Sequence, residues 1–127
     1  MSVAVTSGVR VEVEARYVAD QSDPVVDRYV FAYRIVISNE SDETVQLLRR
    51  HWYIRESDGK QREVEGPGVV GEQPIIEPGE CHAYTSGAVL STPWGSMRGS
   101  YQMTRADGSH FQAEIAEFRL DMPRTLH

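Results

Sequence analysis

The clearest pattern in the chain is alternation. From Val9 to Tyr17 the odd positions are Val9, Val11, Val13, Ala15 and Tyr17, and the even ones are Arg10, Glu12, Glu14 and Arg16. Successive side chains of a strand point to opposite faces, so this run predicts a strand with one buried and one wet face. Asp20-Gln-Ser-Asp-Pro24, rich in turn formers, ends it. The next predicted strand, Tyr29 to Ser38, carries Tyr29, Phe31, Tyr33, Ile35 and Ile37 on one face. Val30, Ala32 and Val36 make its other face apolar too, the signature of a strand central in its sheet or covered on both sides.

Asn39-Glu-Ser-Asp-Glu43 reads as a turn, and Thr44 to Glu56 as a third strand with Val45, Leu47, Trp52 and Ile54 as its apolar positions. Asp-Gly pairs at Asp58-Gly59 and Asp107-Gly108 sit between extended runs, a strong hairpin signal. The second pair joins Ser100–Arg105 to His110–Leu120, where Phe111, Ala113, Ile115 and Phe118 supply the inward face. Between the hairpins, Pro67, Pro74, Pro78 and several glycines precede a short strand over Cys81–Thr85, in which Cys81 is expected to pack as a small hydrophobe. Helical periodicity is nowhere sustained without Pro or Gly. The pattern predicts an all-β protein, a sandwich of about seven strands.

Composition narrows the function classes. A chain of 127 residues predicts one domain, spanning 1–127. Asp and Glu number 19 against 13 Lys and Arg, a net charge of −6. That field repels phosphate, so no nonspecific nucleic-acid binding and no attraction to an anionic membrane is expected. The one cysteine excludes an intrachain disulfide and a cysteine-based zinc site. With no basic-then-apolar leader pattern at the N-terminus and an unpaired cysteine, a cytoplasmic location is expected.

Few residues carry candidate chemistry. Gly66-Pro-Gly-Val-Val-Gly71 spells G-x-G-x-x-G, the dinucleotide-binding pattern, which needs a helix directly after it to hold the pyrophosphate. Pro74 and Pro78 deny it that helix. Two readings stay open for Gly66, Gly68 and Gly71: a nest of backbone amides for an anion, or glycines that permit positive φ and close packing in a long loop. Glu77, Glu80 and His82 lie close in sequence, as a weak divalent-cation cluster or as ordinary loop charges. No nucleophile motif, P-loop or catalytic pair is spelled out, and the chain is expected not to be an enzyme and to need no cofactor. Arg49-Arg50-His51 beside Trp52 is the most basic run, suited to a phosphate or an acidic partner, with Trp52 read as a core residue. Thr92 to Tyr101 reads as a shaped loop entering a strand, with Trp94 and Arg98 exposed as hot-spot types.

Several segments together resemble one family. Leu47-Leu-Arg-Arg-His-Trp52, Gly66-x-Gly-Val-Val-Gly-Glu-Gln-Pro74, Pro78-Gly-Glu80, Tyr84-Thr-Ser-Gly87 and Gly99-Ser-Tyr-Gln-Met103 look like the ApaG family, as do the Asp107-Gly108 hairpin and the closing Phe118-Arg-Leu120. The resemblance covers nearly the whole chain, in order. It implies an immunoglobulin or fibronectin type III-like β-sandwich, with the family's glycine motif falling on Gly66, Gly68 and Gly71. It also implies an association with cobalt resistance and magnesium efflux, which in a chain with no membrane segment must be indirect. Relatives built into larger proteins imply protein binding.

The resulting expectation is a non-catalytic binding module. Its ligand-binding residues are drawn from Gly66, Gly68, Gly71, Arg49, Arg50, His51, Trp94 and Arg98, and its partner is a protein. The alternative is a sensor for a nucleotide, polyphosphate or divalent cation using the Gly66–Gly71 loop. Oligomeric state is open, since a free edge strand can pair with another copy.

Overall fold

The computed structural model describes residues 1–123. It is an all-β sandwich of two antiparallel sheets. The strands are β1 (Ser2–Thr6), β2 (Val9–Tyr17), β3 (Tyr29–Asn39), β4 (Val45–Glu56), β5 (Gln61–Pro67), β6 (Ile75–Ile76), β7 (Cys81–Leu90), β8 (Trp94–Arg105) and β9 (His110–Asp121). The first sheet runs β1-β2-β3-β7; the second runs β5-β4-β8-β9, with the two-residue β6 also on β4. Two short 3-10 turns, Ala19–Gln21 and Pro24–Val26, fill the predicted loop after β2.

The predicted strands are present, and the differences have physical causes. β1 went unread because its inward positions are Ser2, Ala4 and Thr6, too small to make a hydrophobic period. Ser7 and Gly8, both at positive φ, turn it into β2. β7 runs on from Thr85 to Leu90, and β8 begins at Trp94, six residues before the predicted Ser100. Cys81 is a correction: it is an exposed thiol, not a small core residue. In β7 the even positions turn inward, leading to buried Ala88 and Leu90, so Cys81 falls on the solvent face.

Two bulges decide which residues enter the core. Val45 and Leu47 are buried, yet so are Trp52 and Ile54, which have the opposite parity. The β4–β8 register slips between Leu47 and Arg49, leaving Leu48 as the extra residue that reverses the faces. Arg50 thereby joins Trp52 and Ile54 on the inward side, while Arg49, His51 and Tyr53 turn outward. A second slip, opposite Met97–Gly99, lets β9 bury Ala113 and Ile115 and then Phe118 and Leu120.

Trp52, 3% exposed, is the centre of the core. It meets Tyr33 edge-on at 5.4 Å and Phe118 at 5.9 Å between ring centroids. Gly99 makes its place: a Cβ there would stand 3.1 Å from the indole Cε3 and 2.2 Å from the His51 carbonyl oxygen. Asn39, 1% exposed, clasps the two sheets at one end. Its amide nitrogen donates to the carbonyls of Glu43 (2.8 Å) and Ile76 (2.9 Å), and its side-chain oxygen accepts from the backbone and hydroxyl of Ser41.

One long side of the sandwich is closed and the other open. β9 packs against β1 and β2, and the Glu114 amide donates to Thr6 Oγ1 at 3.0 Å. Opposite, the edge strands β5 and β7 are the two lips of an open gap. β5 is exposed along its length except at Gly66.

Trp52→Ala should lower the unfolding free energy by about 3–5 kcal/mol in urea denaturation, the usual cost of emptying a core aromatic site. Deletion of Leu48 should keep a cooperative urea transition, because Leu47, Arg50 and Trp52 then alternate on one face without interruption; its cost should be the loss of the Gly68 and Gln73 bonds to the Leu48 carbonyl.

Candidate functional site

Arg50 and the glycine loop form one unit. β5 pairs Gly66 opposite Arg50 on β4, and a Cβ at Gly66 would sit 3.0 Å from the Arg50 Nη1. That nitrogen donates to the carbonyls of Pro67 and Gly68, each at 3.0 Å. Gly68 has φ +63°, and a Cβ there would stand 2.3 Å from the Glu72 carbonyl oxygen. Val69 and Glu72 then close a tight turn through paired backbone bonds of 2.7 and 3.0 Å, with Val70 and Gly71 at positive φ between them. The Gly68 amide is taken by the Leu48 carbonyl at 2.8 Å, and Gln73 Nε2 donates to the same carbonyl at 3.0 Å. The amides of Gly68, Val69 and Glu72 are thus turned onto protein carbonyls, and each of the three motif glycines has a steric or conformational reason within the fold.

The open side beside this loop holds a cleft of about 380 Å³. Its floor is Tyr33 and Trp52, its β5 wall Arg62 and Val64, and its β7 wall Ser86 to Val89. Arg62 Nη2 bridges the gap to the Val89 carbonyl at 2.7 Å. Among the described residues, neither Arg50 nor Arg62 has a carboxylate within ion-pair distance. Other arginines share this, Arg49 and Arg98 among them; what distinguishes Arg50 and Arg62 is that both line the cleft.

Beneath Arg50 lie three tyrosines, Tyr33, Tyr84 and Tyr101, to which sequence reading gave no site role. The Tyr84 and Tyr101 hydroxyls hydrogen-bond to each other across the two sheets. Burial pushes the Tyr33, Tyr84 and Tyr101 hydroxyls above the ordinary tyrosine range. Ser86 pulls Tyr33 partly back, and the Arg50 charge does so for all three. They stay neutral hydroxyls. The signal that would have found them is parity: Tyr33, Tyr84 and Tyr101 are each inward-facing and fall at one level of the sandwich, with Tyr33 opposite Ser86 and Tyr101 opposite Arg50.

The other predicted residues lie elsewhere. Arg49 and His51 are on the outer face of the second sheet, away from Arg50. His51 faces Glu63 with Nε2 (3.1 Å) and Glu65 with Nδ1 (3.0 Å), and stacks on Tyr53 at 4.4 Å. Arg98 lies over the same ring, its guanidinium carbon 4.3 Å from the Tyr53 centroid. Among the described residues, His51, Glu63 and Glu65 are the group able to approach a metal ion together. Each carboxylate addresses a different ring nitrogen. Trp94, 50% exposed, stands at the Glu56 end of β4, about 20 Å along the strand from Arg50. Glu77, Glu80 and His82 do not converge: the Glu80 carboxylate accepts from the Glu77 amide, and His82 faces Glu72 at 3.7 Å. The fourth histidine, His127, lies outside the described residues.

Two outcomes check this geometry. Gly68→Ala should destabilise the fold far more than Gly71→Ala in urea denaturation: the latter carries only the left-handed strain of about 1–2 kcal/mol, the former adds a backbone collision. Raised tyrosine values mean that the folded chain holds its phenolic protons where the unfolded chain has lost them. Stability should therefore be flat near neutrality and fall above pH 10.0, by up to about 1.4 kcal/mol per unit per tyrosine, and Tyr84→Phe should reduce that slope.

Comparison with known proteins agrees with the resemblance in the motifs. The ApaG domain family matches residues 19–105. The Protein ApaG of Nitrosomonas europaea is 56% identical over 119 residues, 94% of each chain, and that of Pseudomonas putida (strain W619) is 52% identical over the same share. A crystal structure from Bordetella pertussis, described as an ApaA protein, superposes with a TM-score of 0.89 at 48% identity, covering 92% of this chain and 95% of that one. By domain match, sequence and fold, the chain belongs to the ApaG family.

Proposed function

We propose that this chain is a non-catalytic binding module whose partner is a protein, engaged through the open β5–β7 side where Arg50 and the glycine loop meet. The observation that supports this is the cleft itself: an apolar floor of Tyr33 and Trp52, flanked by two arginines without carboxylate partners, beside an exposed edge strand. Aromatic floors and arginines are the residue types that anchor protein interfaces. The tyrosines near the site are held neutral by burial, so they serve as donors and as packing surface and not as bases. Arg49, His51 and Arg98 make a separate polar face, on which His51 is held by Glu63 and Glu65 and Arg98 lies over Tyr53. Among the described residues no helix is long and apolar enough to cross a membrane. In this reading any link to cobalt or magnesium homeostasis runs through the bound partner.

The test is affinity capture from bacterial lysate with three baits: the unaltered chain, Arg62→Glu, and Arg98→Glu. A protein retained by the first and third and lost from the second is the expected result. Steady turnover of ATP or diadenosine tetraphosphate by the purified chain would overturn the non-catalytic reading, and retention indifferent to Arg62 would remove the open side as the interface.

A further inference from the structure

The first sheet ends at β7 and the second continues to β5, so the inward face of β5 has no strand opposite it. Val64 shows the consequence. It belongs to the inward set with Arg62 and Gly66, paired with Trp52 at the centre of the core, yet it is 38% exposed. The place that would cover it is a strand position beside β7.

β7 is ready to accept that strand. Its pairing with β3 is continuous from Cys81 to Leu90, without a bulge. The Val89 carbonyl reaches out to Arg62, which puts the backbone groups of Val89 on the free edge. In an antiparallel strand these groups alternate sides, so Ala83, Thr85 and Gly87 present their N–H and C=O groups to the same vacant edge.

We infer that an extended acidic segment of a protein partner adds as a strand to the free edge of β7, its inward side chains covering β5. The proposal rests on the binding-module reading and specifies its ligand. Charge and register define the segment. Arg62 lies opposite Ile54 and Arg50 lies opposite Gly66, with Val64 and Trp52 at the level between. The two guanidiniums are therefore rooted at levels four residues apart, about 13 Å on a strand. Side chains on one face recur every second residue. The matching pattern is acidic, any, apolar, any, acidic: carboxylates toward Arg50 and Arg62, the apolar side chain over Val64 and Trp52. Each guanidinium has donors to spare, since Arg50 uses Nη1 on two carbonyls and Arg62 uses Nη2 on one. A second copy of the chain is the poorer occupant, because pairing β7 with itself would bring the arginines of two clefts toward each other. Strand addition of this kind draws affinity from main-chain bonds and specificity from alternate side chains.

The experiment uses the full chain and blocked, fluorescein-labelled peptides of about nine residues, long enough to form one strand. The core peptide is Asp-Thr-Leu-Thr-Asp between Ser and Thr flanks. One control moves an Asp to the opposite face, one replaces Asp by Lys, and one carries N-methyl groups on alternate backbone amides. Binding is read by anisotropy and by backbone amide shifts. The expected result is saturable binding of the core peptide with shifts at Ala83, Thr85 and Gly87, and weakening of about tenfold or more for every control. Arg62→Glu should weaken it similarly. Thr85→Pro should fold, because its N–H faces the free edge, and should also lose binding. Equal binding of the N-methylated or face-shifted peptide overturns strand addition. So does no binding at millimolar peptide, or inorganic tripolyphosphate binding in the cleft where the peptide does not. Self-association that protects the same amides in sedimentation and exchange assigns the edge to a second copy and likewise overturns it. If the peptides fail while a lysate protein is still captured in an Arg62-dependent way, this inference falls and the binding-module reading stands. If both fail, both fall.

Discussion

Everything in the second sheet depends on the parity of β4. A strand has two faces, and which residues lie on which is fixed by counting in twos from any buried position. Counting from Val45 and Leu47 alone would bury Arg49 and His51 and expose Trp52. The bulge at Leu48 reverses that count, and three features follow from it. Trp52 reaches Tyr33 and Phe118 across the sandwich. Arg50 turns in over the buried tyrosines and takes the carbonyls of the glycine loop. Arg49 and His51 turn outward, and His51 meets the carboxylates of Glu63 and Glu65 on β5. Strand alternation parts the run of three basic side chains onto two faces, and the one inserted residue decides which of them turns inward.

The glycine motif gains its meaning from the same place. Gly66 leaves room for Arg50, and the Leu48 carbonyl holds the Gly68 amide and the Gln73 side chain. The motif is the complement of the bulge: the loop fits against the strand where the strand is irregular. A spelling that suggests phosphate binding in a strand-turn-helix setting here describes a loop folded onto a sheet. Context of this kind decides what a short motif does.

Much of the fold was legible along the chain because long strands with large apolar residues announce their own period. β2 and β3 were read to within a residue of their ends for that reason. β1 was silent, since Ser2, Ala4 and Thr6 bury little apolar surface. The two bulges were silent as well, because an extra residue shows only when both partners of a ladder are known. The site suffered most from this. Arg50 was recognised as a candidate, but its partners Tyr33, Tyr84, Tyr101 and Ser86 come from strands distant in sequence and carry no local signature. Arg62 and Val64, on an edge strand with mixed charge, resemble ordinary surface until the vacant position opposite them is seen. Trp94 and Arg98 were read as exposed, and they are, but on surfaces apart from the cleft.

The bond from the Glu114 amide to Thr6 Oγ1 joins residues 108 apart in sequence. The Asn39 contact to Ile76 spans 37. Contacts of such separation demand that long loops close before they return any stabilisation, which places the chain among slow folders. During synthesis β2 and β3 can pair early, while the closed side of the sandwich waits for β9. Until then the apolar faces of β2 and β3 stand open, so the interval between making Tyr17 and making Phe118 is when this protein is most exposed to aggregation.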